Sequence, residues 1–284
     1  MRYLLYPHEG LGDHFAINGL VHELLQNHKE HLKELRLVIP NNHVSGTLKH
    51  LYEDFPVVTF YVHSGQSDPL LQKIVHKEPS YIVHLEDKEY ECFTFGMHSI
   101  LPIRHLWRIP GVNWADSLYA FPFNMNPMLR YKNFKLPNTM QTASVKFFSL
   151  LDKIGNLGYV IIHDDPSRMR FMNEKILHKL LKNDNMLHLP VLYIGKDRHK
   201  YPVFSSLNNV DVKDILECES LLDLFIIFKN ASALHLMDSC VAGLMDVSLL
   251  NGKLYTHDYI FEGSGECFFR EPWIHVTKLE LENQ

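Results

Sequence analysis

Residues 2–25 read RYLLYPHEGLGDHFAINGLVHELL, and the way this run divides decides the fold. Arg2–Tyr6 is an apolar run of strand length, broken by Pro7 and Gly10. From Phe15 a helical pattern begins, with Phe15, Leu20, Leu24 and Leu25 at three- to five-residue steps. The order is strand, glycine turn, helix start. Glycine permits the tight turn and lets a ligand approach the backbone. A helix start offers unpaired N–H groups and partial positive charge. Asp13 stands where an N-cap would stand. It either caps its helix and nothing more, or presents a carboxylate to a ligand. Gly10, Gly12 and His14 flank it and complete the candidate loop. A dinucleotide fingerprint G-x-G-x-x-G would need glycine at position 15, which is Phe15. An anion at position 13 also suits a pyrophosphate poorly and a neutral group, such as a sugar hydroxyl, better.

The pattern continues through the first half. Residues 35–40 (LRLVIP) read as a strand buried on both faces, residues 57–62 (VVTFYV) and 81–85 (YIVHL) as further strands, and residues 43–54 and 68–76 as helices between them. Strand alternating with helix implies parallel strands with right-handed crossovers. Ligands on such sheets bind beyond the carboxyl ends of the strands. That rule places residues 10–13, 41–42, 63–65 and 86–87 on one rim. Residues 87–119 are irregular and rich in aromatics and histidine, with Arg104 and Arg108 among them; packing around a short helix is favoured there over a sugar-stacking platform. Residues 121–137 carry three prolines and three asparagines and read as an inter-domain connection. The boundary is therefore set near residue 137, giving domains 1–137 and 138–284. After it, residues 141–151 form a helix whose apolar face is expected to be Val145, Phe148 and Leu151.

Bulk properties limit the function classes. The chain has 284 residues, 46% hydrophobic and 21% charged, with a net charge of −5. A real core is available, and non-specific nucleic-acid binding is disfavoured. The 19 histidines are scattered rather than paired as ligands, and most are read as surface residues. Four cysteines lie far apart with no C-x-x-C, which fits reduced thiols. No leader pattern and no apolar run of membrane-spanning length is present, so a cytoplasmic protein without a transmembrane segment is expected.

The second half restarts the alternation. Residues 159–163 (YVIIH), 191–195 (VLYIG), 233–237, 253–257 and 273–276 read as strands, and helices are expected from about Ser167 to Lys182, over 220–229 and over 239–250. The fold class is α/β: two Rossmann-like lobes with parallel sheets facing a central cleft, the GT-B architecture. The loop after the first strand of the second lobe carries Arg168 and Arg170 behind Ser167, a fair N-cap. Two arginines at a helix start would seat a diphosphate, against the plainer reading of a solvated first turn. Lys196, Arg198 and Lys200 form a second basic group with the same two readings. His163-Asp164-Asp165 could be tested as a metal site, but successive side chains diverge and no matching carboxylate pair exists, so no metal is expected.

Ser220-Leu221-Leu222-Asp223-Leu224, then Ala231 and Ala233-Leu234-His235-Leu236-Met237-Asp238-Ser239, resembles the C-terminal signature of the heptosyltransferase-like (GT9-like) glycosyltransferases. Gly10-Leu11-Gly12-Asp13 resembles that family's N-terminal G-x-G-D turn. The two signatures stand in the right order at opposite ends of the chain. The resemblance implies a GT-B, metal-independent enzyme that needs no cofactor and takes a nucleotide-diphosphate sugar as donor. It implies Asp13 as the base that activates the acceptor hydroxyl. It implies Arg168 or Arg170 at the leaving diphosphate, Glu217 or Glu219 at the nucleoside, and Asp238-Ser239 beneath the nucleotide; Lys196, from the second basic group, joins the candidate donor-binding residues. The chain departs from the family where glycine usually follows Asp-Ser and a histidine stands three residues further on. It has Cys240 and Gly243 there, so heptose is not carried over as the sugar.

The expected function is transfer of a hexosyl or pentosyl group to a glycan or glycoconjugate, with inversion at the anomeric centre. The rivals are a nucleotide-sugar epimerase on the same fold and a non-catalytic two-lobed sugar- or nucleotide-binding protein in which Asp13 is only a cap.

Overall fold

In the computed structural model, residues 1–7, 10–42, 44–74, 80–95, 114–120, 123–164, 172–194, 204, 206–237, 239–248, 252–258 and 273–277 are described. The chain divides into two units, Met1–Thr139 and Met140–Gln284.

The first unit begins with β1 (Arg2–Tyr6), α1 (Leu11–Asn27), β2 (Glu34–Pro40), α2 (Val44–Leu51), β3 (Val58–His63), α3 (Pro69–Ile74), β4 (Ser80–Leu85) and β5 (Lys88–Thr94). The sheet order is β3-β2-β1-β5-β4. Strands β1, β2 and β3 run parallel, as expected of alternating strands and helices, and β5, in a stretch read as irregular, pairs parallel with β1. Every residue of β2 is buried, because helices cover both faces of the sheet's centre.

β4 departs from expectation. It pairs antiparallel with β5 through a two-residue turn, Glu86-Asp87, with φ of 50° and 60°. Two successive positive φ values define the hairpin turn whose twist matches the strands. Residues 86–87 therefore lie at the opposite end of the sheet from the Gly10 turn, which removes them from the proposed rim. Arg36 on β2 reaches them there, with Nη1 3.0 Å from the Glu86 carboxylate. The same end holds Glu34, which accepts hydrogen bonds from Arg36, Thr59, Lys88 and Tyr90. Burial alone would raise the Glu34 carboxyl, but the hydrogen bonds from Thr59 and Tyr90 and the Arg36 charge outweigh it and hold it at about 2.

After β5 come α4 (Trp114–Ala120) and the single turn α5 (Leu129–Lys132). The described part of the 121–137 segment packs onto α1 rather than hanging free. Lys135 N donates to Asn18 Oδ1 at 2.9 Å, and Asn133 Nδ2 donates to Glu23 Oε2 at 2.6 Å. Gly19 lets this happen, because a Cβ there would stand 2.3 Å from the Leu129 carbonyl oxygen.

The second unit comprises α6 (Gln141–Ile154), β6 (Val160–His163), α7 (Glu174–Asn183), β7 (Val191–Ile194), α8 (Lys213–Leu216), a 3-10 turn at Leu221–Leu224, α9 (Phe225–Lys229), β8 (Ala233–Met237), α10 (Cys240–Val247), β9 (Lys253–Asp258) and β10 (Ile274–Thr277). Its sheet order is β10-β9-β8-β6-β7, parallel throughout. The core between this sheet and α7 includes Val160, Ile162, Leu177, Leu181 and Met237.

Two expectations turn over here. On α6, Val145 and Phe148 are 64% and 62% exposed, while Ala143, Leu150 and Ile154 are buried. The helix packs on the face roughly opposite Val145 and Phe148, and Leu151 falls at its edge. Among the described residues the histidines are also not mainly superficial: His14, His22, His63, His235 and His257 are buried. None of the described helices is long and apolar enough to cross a membrane.

Candidate functional site

In the first unit β1 has β2 on one side and β5 on the other, so successive connections leave it in opposite directions. A crevice opens beyond the carboxyl end of a strand at such a switch, and the Gly10 turn lies there. The helix starts four residues earlier than its apolar pattern suggests, at Leu11 with Gly10 as N-cap. Asp13 is thus the third helical residue, not the cap. Its Oδ2 accepts a hydrogen bond from Gly10 N at 3.2 Å, one half of a capping box; glycine has no side chain to supply the other half. A Cβ at Gly10 would lie 2.7 Å from Asp13 Oδ2, so a larger residue there would have to displace the carboxylate. The Asp13 side chain is half-buried at the mouth of the turn, with Gly12 beside it. His14 is fully buried in α1, which removes it from the candidate loop, because its helical position turns it into the core.

On the same rim, Asp68 closes the turn after β3. It accepts from Leu70 N, Tyr61 Oη and Ser64 N. Burial raises its carboxyl and these bonds lower it, with a net shift downward. All its hydrogen bonds are local, so its part is to start α3.

In the second unit the switch falls at β6, which has β7 on one side and β8 on the other. Beyond it stand the end of β6, the end of β8 and the start of α10. Ser239 is the N-cap of α10 but makes no side-chain cap bond. Its Oγ lies instead 3.5 Å from Nδ1 of His163, the last residue of β6. Asp164, one residue on, is turned elsewhere. It is 3% exposed, its Oδ1 accepts from Met172 N at 2.9 Å, and its Oδ2 accepts from Tyr193 Oη at 3.0 Å. Burial pushes its carboxyl up. With both oxygens engaged, Asp164 is a brace between β7 and the residues before α7, not half of a metal pair.

The remaining predicted residues divide in two. Arg168, Arg170, Lys196 and Asp238 lie outside the described residues, as do Ser167, Asp165, Arg198, Lys200, Arg104 and Arg108. The described helix after β6 begins at Glu174, capped by Asn173, whose side chain accepts from Lys175 N and Ile176 N. The expected start at Ser167 lies outside the described residues. Glu217 and Glu219 are both exposed, and the backbone oxygen of Glu217 accepts from Lys146 Nζ. The Ser220–Asp223 part of the signature has a local reason: Ser220 Oγ accepts from Leu222 N, and Asp223 Oδ2 accepts from Ser220 N. The motif is thereby a reciprocal cap that starts the turn leading into α9.

The sequence reading weighed His163 only together with Asp164 and Asp165, as a metal site. The adjacent Asp164-Asp165 pair drew attention to metal chemistry, whereas the informative signal was its place as the last residue of the strand at the switch.

Two α/β units, each with its strand-order switch beside a helix start, make up the fold of the GT-B glycosyltransferases. Solved structures sharing it include a glycosyl transferase of family 9 from Veillonella parvula, with 12% identity and a TM-score of 0.55 over 99% of this chain and 87% of that one. Another is the ADP-heptose LPS heptosyltransferase II of E. coli, with 13% identity and a TM-score of 0.53 over 97% of this chain and 90% of that one. At these identities the likeness is one of fold. No protein-family model and no curated protein sequence matches the chain.

Proposed function

We propose that the chain is a glycosyltransferase that moves a sugar from a nucleotide-diphosphate sugar to a hydroxyl of a glycan or glycoconjugate, without a metal and with inversion. The observation that carries this reading is the Gly10 turn. It holds a half-buried carboxylate, Asp13, at a helix start beside the first unit's switch strand, in a fold shared with glycosyltransferases.

In this mechanism Asp13 takes the proton of the acceptor hydroxyl while that oxygen attacks the anomeric carbon. The bond from the anomeric carbon to the diphosphate oxygen breaks, and its electron pair leaves with the nucleoside diphosphate. Arg168, Arg170 and Lys196 offset the charge, together with the N–H groups at the start of α10 beside Asp238 and Ser239. Glu217 or Glu219 contacts the nucleoside. The sugar is a hexose or a pentose.

The hydrogen bond from Gly10 N to Asp13 favours one second reading, a non-catalytic binding protein in which Asp13 only caps its helix. Asp13→Asn separates the two, because asparagine can still accept from Gly10 N but cannot take a proton. The first test is a thermal-shift panel of nucleoside diphosphates and nucleotide sugars, with and without EDTA. A ligand at a hundred times its Kd adds about 2.7 kcal/mol. A shift with one nucleotide class that survives EDTA supports the donor site; no shift with any of them refutes it.

A further inference from the structure

β6 ends at the switch between β7 and β8, and its last residue is His163. The ladder places His163 against Leu236 of β8 and Ile194 of β7. Ser239 lies three residues past Leu236, at the start of α10. Ser239 adopts extended backbone, with φ −154° and ψ 174°, and gives its helix no side-chain cap. Its hydroxyl is held toward His163 Nδ1 at 3.5 Å instead, a long contact of the kind that shortens when a ligand closes around it. When the hydroxyl donates to Nδ1, the ring proton resides on Nε2, and the imidazole becomes a hydrogen-bond donor.

The two neighbours at this strand end are therefore divided in use. Asp164 is buried, and both its oxygens are engaged by the β7 side. His163 is half-buried and turned to the β8 side. Switch crevices are where α/β sheets hold their ligands, and a donor ring at the start of a helix suits an anion.

We infer that His163 is a donor-site residue that hydrogen-bonds the diphosphate of the nucleotide sugar, with Ser239 as the positioning residue that fixes its tautomer. This rests on the transferase reading above and adds to it a residue from a different strand. It also gives Ser239 a role through the ring rather than through its helix.

Calorimetric titration of the full chain in EDTA tests this, with ADP, UDP, GDP and CDP as probes and the matching nucleosides as controls. The variants are His163→Ala, His163→Gln and Ser239→Ala, each checked for an unchanged melting profile. His163→Ala should weaken the nucleoside diphosphate that binds the wild type by tenfold or more, the scale of one hydrogen bond to a charged group. It should leave the nucleoside within twofold. His163→Gln, which keeps an N–H donor, should recover part of the loss, and Ser239→Ala should lose severalfold. Unchanged diphosphate binding in His163→Ala, or an equal loss for the nucleoside, overturns the inference alone. A wild type that binds none of the four overturns the transferase reading, and the inference with it.

Discussion

Lowering the pH from 7 to 5 should destabilise the second unit through two histidines that the sheet holds uncharged. His235 on β8 and His257 on β9 are 0% and 1% exposed, and their ring nitrogens lie 3.0 Å apart, so one donates to the other. Tyr255 stacks on His235 at 4.4 Å with its ring nearly parallel. Asp184, whose charge acts on His235, accepts from Tyr255 Oη at 2.7 Å and is paired with Lys253. Burial lowers His235 to about 3 against a weaker opposing pull from Asp184, and lowers His257 well below 6.5, helped by His235. In the unfolded chain both titrate near 6.5. Below that value the unfolded state binds protons that the folded state refuses, so stability falls as pH falls. Each histidine contributes a slope of about 1.4 kcal/mol per pH unit once pH is well below 6.5. From pH 7 to pH 5 that amounts to roughly 2 kcal/mol per residue and about 4 kcal/mol for the pair, a large share of a domain's usual stability. Urea unfolding at a series of pH values, with hydrogen exchange of peptides from β8 and β9, reads this unit separately. The double variant His235→Gln/His257→Gln keeps a hydrogen bond but cannot titrate, and should flatten the dependence over that window. An equal slope in the double variant, or a flat wild type, would refute the reasoning. Glu34 does not confuse the result: its carboxyl is held at about 2, so its stabilisation is lost only below its unfolded value of 4.5.

Three further outcomes follow from single contacts. Gly10→Ala keeps a permitted backbone at φ −84° but pushes a methyl against Asp13 Oδ2; sugar transfer should fall tenfold or more while the melting temperature moves by only a few degrees, as measured by donor turnover and calorimetry. Asp164→Ala strips Met172 N and Tyr193 Oη of their acceptor and should cost about 2 kcal/mol in urea unfolding, whereas Asp164→Asn, which replaces a buried carboxyl already pushed up by burial, should leave stability unchanged or higher at neutral pH. Asp87→Gly relieves a φ of 60° in the β4–β5 turn and should raise stability by about 1 kcal/mol in the same measurement.

The sequence was most informative where apolar runs are bounded by strong turn signals. Arg2–Tyr6, Ala233–Met237 and the LRLVIP run of β2 are strands because each is a short apolar segment buried on both faces. It was least informative at β4 and β5. The hairpin turn there is Glu86-Asp87, with neither glycine nor asparagine to mark it, so β5 was read as the start of an irregular stretch and residues 86–87 were put at the wrong end of the sheet. On α6, apolar residues are spread around most of the helix, and periodicity cannot say which of them meet the neighbouring helices. Within the site, Asp13 was visible because a carboxylate directly after two glycines is conspicuous, while its place at the third helical position depended on a hydrogen bond to Gly10 N that no spacing reveals. His163 acquires meaning only when the strand order puts β6 at the switch and brings Ser239 to it, contacts between residues 76 positions apart.

The central claim is that Asp13 serves as a base, beyond its bond to Gly10 N. The most direct measurement is release of nucleoside diphosphate from a panel of nucleotide-diphosphate sugars in EDTA, with candidate glycan acceptors, for the wild type and Asp13→Asn side by side with their donor affinities. The account predicts turnover of one donor class by the wild type and its loss in Asp13→Asn, with donor binding and melting temperature unchanged. Turnover by Asp13→Asn at the wild-type rate, or no turnover of any donor by a wild type that binds one, would contradict it.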